Sequence, residues 1–194
     1  MSAILPVMIR PSTKLILKEI QGVLDRIHEE EVVEFVEAIC KATKIVCVGA
    51  GRVGNVVWGF SMRLGHLGFV AHTVGDSTTP SIRKGDLLIA ASGSGETETI
   101  FHYVNVAKKN GARVALITSN PDSRMGRLAD TVLILSAPSK LKKIPLPKQI
   151  RTIQPMTTLN EQCLQIFFDT LILELMKRLH QTEKHMWERH SNLE

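Results

Sequence analysis

Leu87-Leu88-Ile89-Ala90-Ala91-Ser92-Gly93-Ser94-Gly95-Glu96-Thr97 decides how this chain is read. Its first five residues are an apolar run too short for a buried helix and suited to a strand covered on both faces. From Thr97 to about Lys109 the pattern turns helical. A Gly/Ser turn leading from a buried strand into a helix N-terminus predicts a parallel α/β sheet. It also makes an anion site. The first N–H groups of a helix have no intrahelical partner, the dipole is positive there, and glycine lets the backbone approach a phosphate closely. Ser92, Ser94 and Thr97 add hydroxyl donors. Single residues of this kind also serve simply as turns and caps. The whole hexapeptide, with Gly93, Gly95 and Glu96, is what points to phosphate.

Upstream, Ile45-Val46-Cys47-Val48-Gly49 predicts another buried strand, and Gly49-Ala50-Gly51-Arg52-Val53-Gly54 turns it into a helix reaching about Gly65. The G-x-G-x-x-G spacing allows a dinucleotide site, with Asp76 after a strand from Phe69 to Val74 placed to hold a ribose. Arg52 in the turn favours a simpler use, a phosphate anchored by a guanidinium. Downstream, Arg113 to Thr118 and Thr131 to Leu135 predict two more strands, with a short helix between them ending near Ala129. Five apolar runs alternating with helices predict a three-layer αβα sandwich around a flavodoxin-like five-stranded parallel sheet, in the order 2-1-3-4-5. In that order the C-terminal ends of strands 1 and 3 lie side by side. Both glycine-rich turns then open into one crevice.

Residues 1–43 predict a helical arm. Ser12 or Thr13 caps a helix with Leu15, Ile16, Ile20, Val23, Leu24 and Ile27 at helical spacing. A second helix from about Glu30 to Ala42 has Val32, Val33, Val36, Ile39 and Cys40 on its apolar side, and Glu29, Glu30 and Glu31 complement the dipole at its start. Such an arm either covers a sheet face or pairs with another subunit. The αβα core takes residues 44–136. Residues 137–155 combine Pro138, Pro145 and Pro147 with Lys140, Lys142, Lys143, Lys148 and Arg151, which predicts an exposed basic loop, solvated or arched over the crevice. Residues 156–194 hold a long helix from about Thr158 to His180, with Leu159, Leu164, Ile166, Phe167, Leu171, Leu175 and Leu179 at apolar positions. Glu161 interrupts that face near the first turn. It either complements the dipole or points into the crevice as a base.

With 194 residues, the expectation is one domain. Hydrophobic residues make up 44% and charged residues 22%, a globular composition. Lys and Arg exceed Asp and Glu by 24 − 19 = 5, a mild excess that suits an anionic substrate. Aromatics at 5% are too few for a basic stripe with interleaved stacking side chains, so no nucleic-acid partner is expected. Cys40, Cys47 and Cys163 have no metal-ligand spacing and sit in apolar segments, as buried reduced thiols do. Met1 to Arg10 carries no basic region followed by a long apolar stretch, and no run reaches the roughly 18 apolar residues of a membrane span. A soluble cytoplasmic protein is expected.

Several segments together resemble the SIS (sugar isomerase) domain family, and within it the 6-phospho-3-hexuloisomerases. They are Gly49-Ala50-Gly51-Arg52, Ser61-Met62-Arg63-Leu64-Gly65-His66-Leu67-Gly68-Phe69, Thr78-Thr79-Pro80, the Ser92 to Thr97 loop, Gln154-Pro155-Met156 and Arg189-His190-Ser191-Asn192-Leu193-Glu194. Two positions depart from the family's pattern: Val53 stands where Ser usually follows the Arg, and Thr157 where Gly is common. The resemblance implies a cofactor-free and metal-free interconversion of 3-hexulose 6-phosphate and fructose 6-phosphate through a cis-enediol. It implies Glu161 as the base and the loop from Ser92 to Thr97, with Arg52 and Val53, as the substrate site; the acid candidates, by side-chain type, are His66 and His190, with Glu96 third, set against a capping or packing role for His66 and a dipole role for Glu96. It implies a tetramer built from dimers. The rival expectations are an isomerase of another phosphosugar, such as an aldose–ketose pair, and a non-catalytic sugar-phosphate-binding module.

Overall fold

Alternation along the central strands sorts their side chains onto two apolar faces, so helices must cover both. The computed structural model describes residues 9–140 and 150–193. Pro6 of the leader, Lys142, Lys143, Pro145, Pro147 and Lys148 of the basic loop, and Glu194 fall outside them. In chain order the elements are α1 Ile9–Leu24, α2 Glu29–Lys41, β1 Ile45–Gly49, α3 Gly51–His66, β2 Ala71–Thr73, β3 Leu87–Ala91, α4 Glu98–Lys109, β4 Arg113–Thr118, β5 Thr131–Ile134, α5 Thr158–Arg178 and α6 Glu183–Glu188. The strands form one sheet in the order β2-β1-β3-β4-β5. Every pair is parallel, with Gly49 opposite Ala91 and Ala91 opposite Ile117. The predicted three-layer α/β architecture and strand order are the observed ones.

Ile45, Cys47, Leu87, Ile89, Ala115 and Ile117 face a thick layer made by the arm, α3 and α5. Val46, Val48, Leu88, Ala90, Val114 and Leu116 face Ile100, Val104 and Ala107 of α4, with Met125 beside them. Phe60 of α3 stacks on Phe168 of α5, their centroids 3.9 Å apart and their planes 4° from parallel. Such a pair contributes about 0.5–1.5 kcal/mol beyond its buried area. Burial pushes the Cys47 and Cys163 thiols up to about 12, as expected of packed thiols.

Several local expectations are corrected. Ser12 and Thr13 lie inside α1, and Thr13 Oγ1 donates to Ile9 O at 2.9 Å instead of capping. Pro11 is tolerated there because an N–H in the first turn has no intrahelical partner. Val33 and Ile166 point outward, while Phe35 and Phe168 take the buried positions. Residues 121–129 form tight turns in place of a helix, since Pro121 and Gly126 interrupt it and an added Cβ at Gly126 would overlap the Pro121 carbonyl. Strand β2 is three residues long. Helix α6 is new: Thr182 accepts from His185 N, and His185 Nδ1 accepts in return from Thr182 N. Glu31 does more than complement a dipole, for its carboxylate accepts from Ile134 N at 2.7 Å and covers part of the sheet's β5 edge.

Candidate active site

The strand order brings the C-terminal ends of β1 and β3 together, and with them the N-termini of α3, α4 and α5. The residues that open these helices, Ala50, Thr97 and Thr157, give no side-chain cap to their first turns. Uncapped N–H groups and positive dipole ends therefore converge on one place. A cavity of about 300 Å³ lies there, lined by Arg52, Val53, Ser92, Gly93, Ser94, Thr97 and Glu161 among others.

Both turns are shaped by close approach. An added Cβ at Gly54 would come 2.8 Å from Gly49 O, so glycine lets α3 start directly against β1. Gly95 has φ +65°, and a Cβ there would overlap Ser123 Oγ. Behind the second turn, Ser119 N at 3.1 Å and Ser119 Oγ both donate to Gly93 O, and Asn120 Nδ2 donates to Ser94 O at 3.2 Å. The loop's carbonyls are thereby engaged by the residues that follow β4. Ser92 Oγ and Thr97 Oγ1 lie 3.1 Å apart across the cavity side of the turn.

Glu161 is 8% exposed. Its Oε1 accepts from Thr157 Oγ1 at 2.8 Å. Its Oε2, shielded from solvent, lies 3.0 Å from Arg52 Nη1 in an ion pair and takes no hydrogen bond among the described residues. Arg52 Nη1 also donates to Thr158 Oγ1 at 3.3 Å. One carboxylate oxygen is thus oriented by a hydrogen bond and the other is held beside the guanidinium, in a residue that lines the cavity. That arrangement suits proton abstraction.

The remaining expected residues lie elsewhere. Gly95 and Glu96 do not line the cavity. The Glu96 carboxylate is gripped by Arg124, whose N donates at 2.8 Å and Nε at 2.6 Å. Burial pushes this carboxyl up, but those hydrogen bonds and the guanidinium charge hold it below the ordinary value, which suits an acceptor and not a proton donor. Asp76 accepts from Thr78 N at 3.0 Å and shapes its own loop away from the cavity. His66 and His190 do come together, ring centroids 5.1 Å apart, but at the far end of α3. Sixteen residues of helix put that end about 22 Å from the cavity. There they line a second depression with Arg63, Leu173, Met186 and Trp187.

Asn160, Thr157, Thr158 and Ser139 also line the cavity. Asn160 is 4% exposed and lies against Gly93. A cluster of polar residues opening an otherwise apolar helix was the available signal for three of them. Lys140 of the basic loop also lines the cavity. Among the described residues no group of three or more His, Cys, Asp or Glu is placed to hold a metal ion. None of the described helices is long and apolar enough to cross a membrane.

The SIS domain family matches residues 38–163, which hold the whole sheet, both glycine-rich turns and Glu161. The 3-hexulose-6-phosphate isomerase of Bacillus subtilis (strain 168) is 38% identical over 179 residues, 92% of this chain and 95% of that protein. The enzyme of the same name from Mycobacterium gastri is 36% identical over 93% of this chain and 88% of its own length. Among solved structures, a protein from Methanococcus jannaschii with an inferred function of 3-hexulose-6-phosphate isomerase superposes with a TM-score of 0.80. It has 33% sequence identity and covers 95% of this chain and 99% of its own. A match that spans sheet, cavity and nearly the full chain means that this protein belongs to the SIS domain family, in the group that includes those isomerases.

Proposed function

We propose that the chain is a phosphosugar isomerase that interconverts 3-hexulose 6-phosphate and fructose 6-phosphate. The observation that carries this reading is the Glu161 carboxylate, oriented by Thr157 and paired with Arg52, in the lining of the same cavity as Ser92, Gly93, Ser94 and Thr97. The loop and the open helix N-termini bind the phosphate, and Arg52 contacts phosphate or sugar. Glu161 takes the proton from C2 while O3 gains one, giving the cis-enediol. Return of the proton to C3, as O2 loses its own, yields the 2-ketose. No redox cofactor or metal takes part in this scheme.

His66 and His190 are the acids in this reading. They lie about 22 Å from the cavity of their own chain, so this reading requires them to serve the cavity of a neighbouring copy. Exposed Trp58, Met62, Leu173 and Trp187, between 52% and 63% accessible on α3, α5 and α6, support a homo-oligomer, read here as a tetramer built from dimers. The chain acts as one domain in the cytoplasm.

Val53 lines the cavity with a side chain that offers no hydrogen bond, and this favours a second reading, an isomerase of another phosphosugar. A panel of 3-hexulose 6-phosphate and aldose phosphates, without added metal and with product identification, separates the two. Fructose 6-phosphate formed from the 3-hexulose supports the first reading; turnover of an aldose phosphate alone replaces it.

A further inference from the structure

Glu19 of α1 is a buried carboxylate outside the cavity, 8% exposed. It faces the described end of the basic loop. Its Oε2 accepts from Thr152 Oγ1 at 2.7 Å and from Gln154 Nε2 at 2.9 Å, and its Oε1 accepts from Ile153 N at 3.1 Å. Three consecutive residues of one strap therefore hand their donors to a single carboxylate. An ionised carboxylate is an acceptor at both oxygens, so no neutral side chain of that size can hold all three donors.

The strap leads straight to the site. Pro155 O accepts from Thr158 N at 3.2 Å and Thr158 Oγ1 at 2.7 Å, and Thr158 Oγ1 in turn accepts from Arg52. Between strap and helix, Met156 has φ +57°, a left-handed conformation that a residue with a Cβ keeps only when both sides of it are fixed. On the far side, α5 is fixed by its buried Leu159 and Cys163. On the near side, Glu19 does the fixing. We propose that Glu19 is a positioning residue for Glu161, acting through the strap 152–154 that sets the first turn of α5. This inference rests on the isomerase reading for its kinetic consequence, but its structural part does not.

The competing role is a staple that merely ties the arm to the core. Glu19→Gln keeps the volume and one acceptor oxygen, and Gln154→Ala removes one donor while leaving Glu19 in place, so a folding failure of one still leaves the other to decide. We would measure kcat and KM for both variants at a temperature where circular dichroism shows them folded. We would also follow amide hydrogen exchange of the unliganded proteins. The expected result is a kcat lowered about 10- to 100-fold with KM unchanged, since the phosphate loop is untouched. Exchange should quicken across residues 156–161 while β3 and α4 keep their protection. Unchanged kcat in the folded variants, or faster exchange confined to α1, would overturn the proposal. If the unaltered chain turns over neither sugar class, the isomerase reading fails, and the exchange at 156–161 alone decides the positioning.

Discussion

Replacing Glu161 by Gln tests the chemistry with little disturbance of the fold. The amide keeps the shape of the carboxylate and one oxygen for Thr157 Oγ1, and it removes the acceptor that takes the proton. Loss of a positioned general base costs about 10²- to 10⁴-fold in rate, or about 3–5 kcal/mol of transition-state stabilisation. The stability cost is set by the Arg52 ion pair. Its guanidinium side is 61% exposed and solvent-screened, although the carboxylate side is 9% exposed. A pair so placed contributes about 0–1 kcal/mol, and the neutral amide is also spared the desolvation of a buried charge. The thermal midpoint should then move by no more than about 4 °C for a domain of this size. Fructose 6-phosphate formation from enzymatically generated 3-hexulose 6-phosphate gives kcat, and stabilisation by fructose 6-phosphate reports binding. A folded Glu161→Gln variant that keeps kcat within about tenfold of the natural chain refutes the assignment of the base.

Gly95→Ala should destabilise by about 2 kcal/mol or more and weaken sugar-phosphate binding, because a Cβ at φ +65° meets Ser123 Oγ; chemical denaturation and titration with fructose 6-phosphate check both. Glu19 has a carboxyl that burial pushes up but that the donors Thr152, Gln154 and Ile153 hold below 4.5 on balance. With the folded value below the unfolded one, its stabilisation is complete above pH 4.5 and is lost as pH falls through the folded value. Thermal melts across that acid range should fall less steeply for Glu19→Gln than for the natural chain. Val53→Ser restores a hydroxyl to the cavity wall, and KM for 3-hexulose 6-phosphate should drop about fivefold, the equivalent of a hydrogen bond of about 1 kcal/mol. An unchanged KM would mean that no substrate hydroxyl reaches this wall.

The sheet was legible because each strand is a short apolar run bounded by turn residues, and both cavity turns followed from where those strands end. Glu161 stood out as an acid in an apolar helix. Glu19 offered the same signal, for it sits between Ile16, Ile20 and Val23 on the buried stripe of α1, yet the partners that explain it lie more than 130 residues away in a loop without periodicity. Residues 121–129 failed as a helix for a local reason: Pro121 and Gly126 favour turns over a continuous ladder. Helix α6 is six residues long with Trp187 exposed, so it shows no apolar stripe, and its capping uses a histidine where the usual pattern has Glu or Gln. The distance from His66 to the cavity follows from α3 itself. One helix joins the glycine-rich turn to the histidine, and a resemblance that spans both ends does not bring them together.

The tail has a physical reason to dock that is independent of catalysis. Arg189 Nη1 donates to His66 O at 3.2 Å, at the C-terminal end of α3, and to Gln181 Oε1 at 3.0 Å. A guanidinium there meets a carbonyl in the last turn, at the negative end of the helix dipole. Removing the tail from Arg189 onward thus takes away a helix cap and an imidazole at once, and a fall in activity after truncation does not say which mattered. His190→Ala leaves the Arg189 contacts in place. If His190 donates the proton, this variant keeps the natural chain's oligomeric mass and thermal midpoint while kcat falls. An unchanged kcat, with mass and midpoint also unchanged, removes His190 from the reaction and makes His66→Ala the next variant to measure.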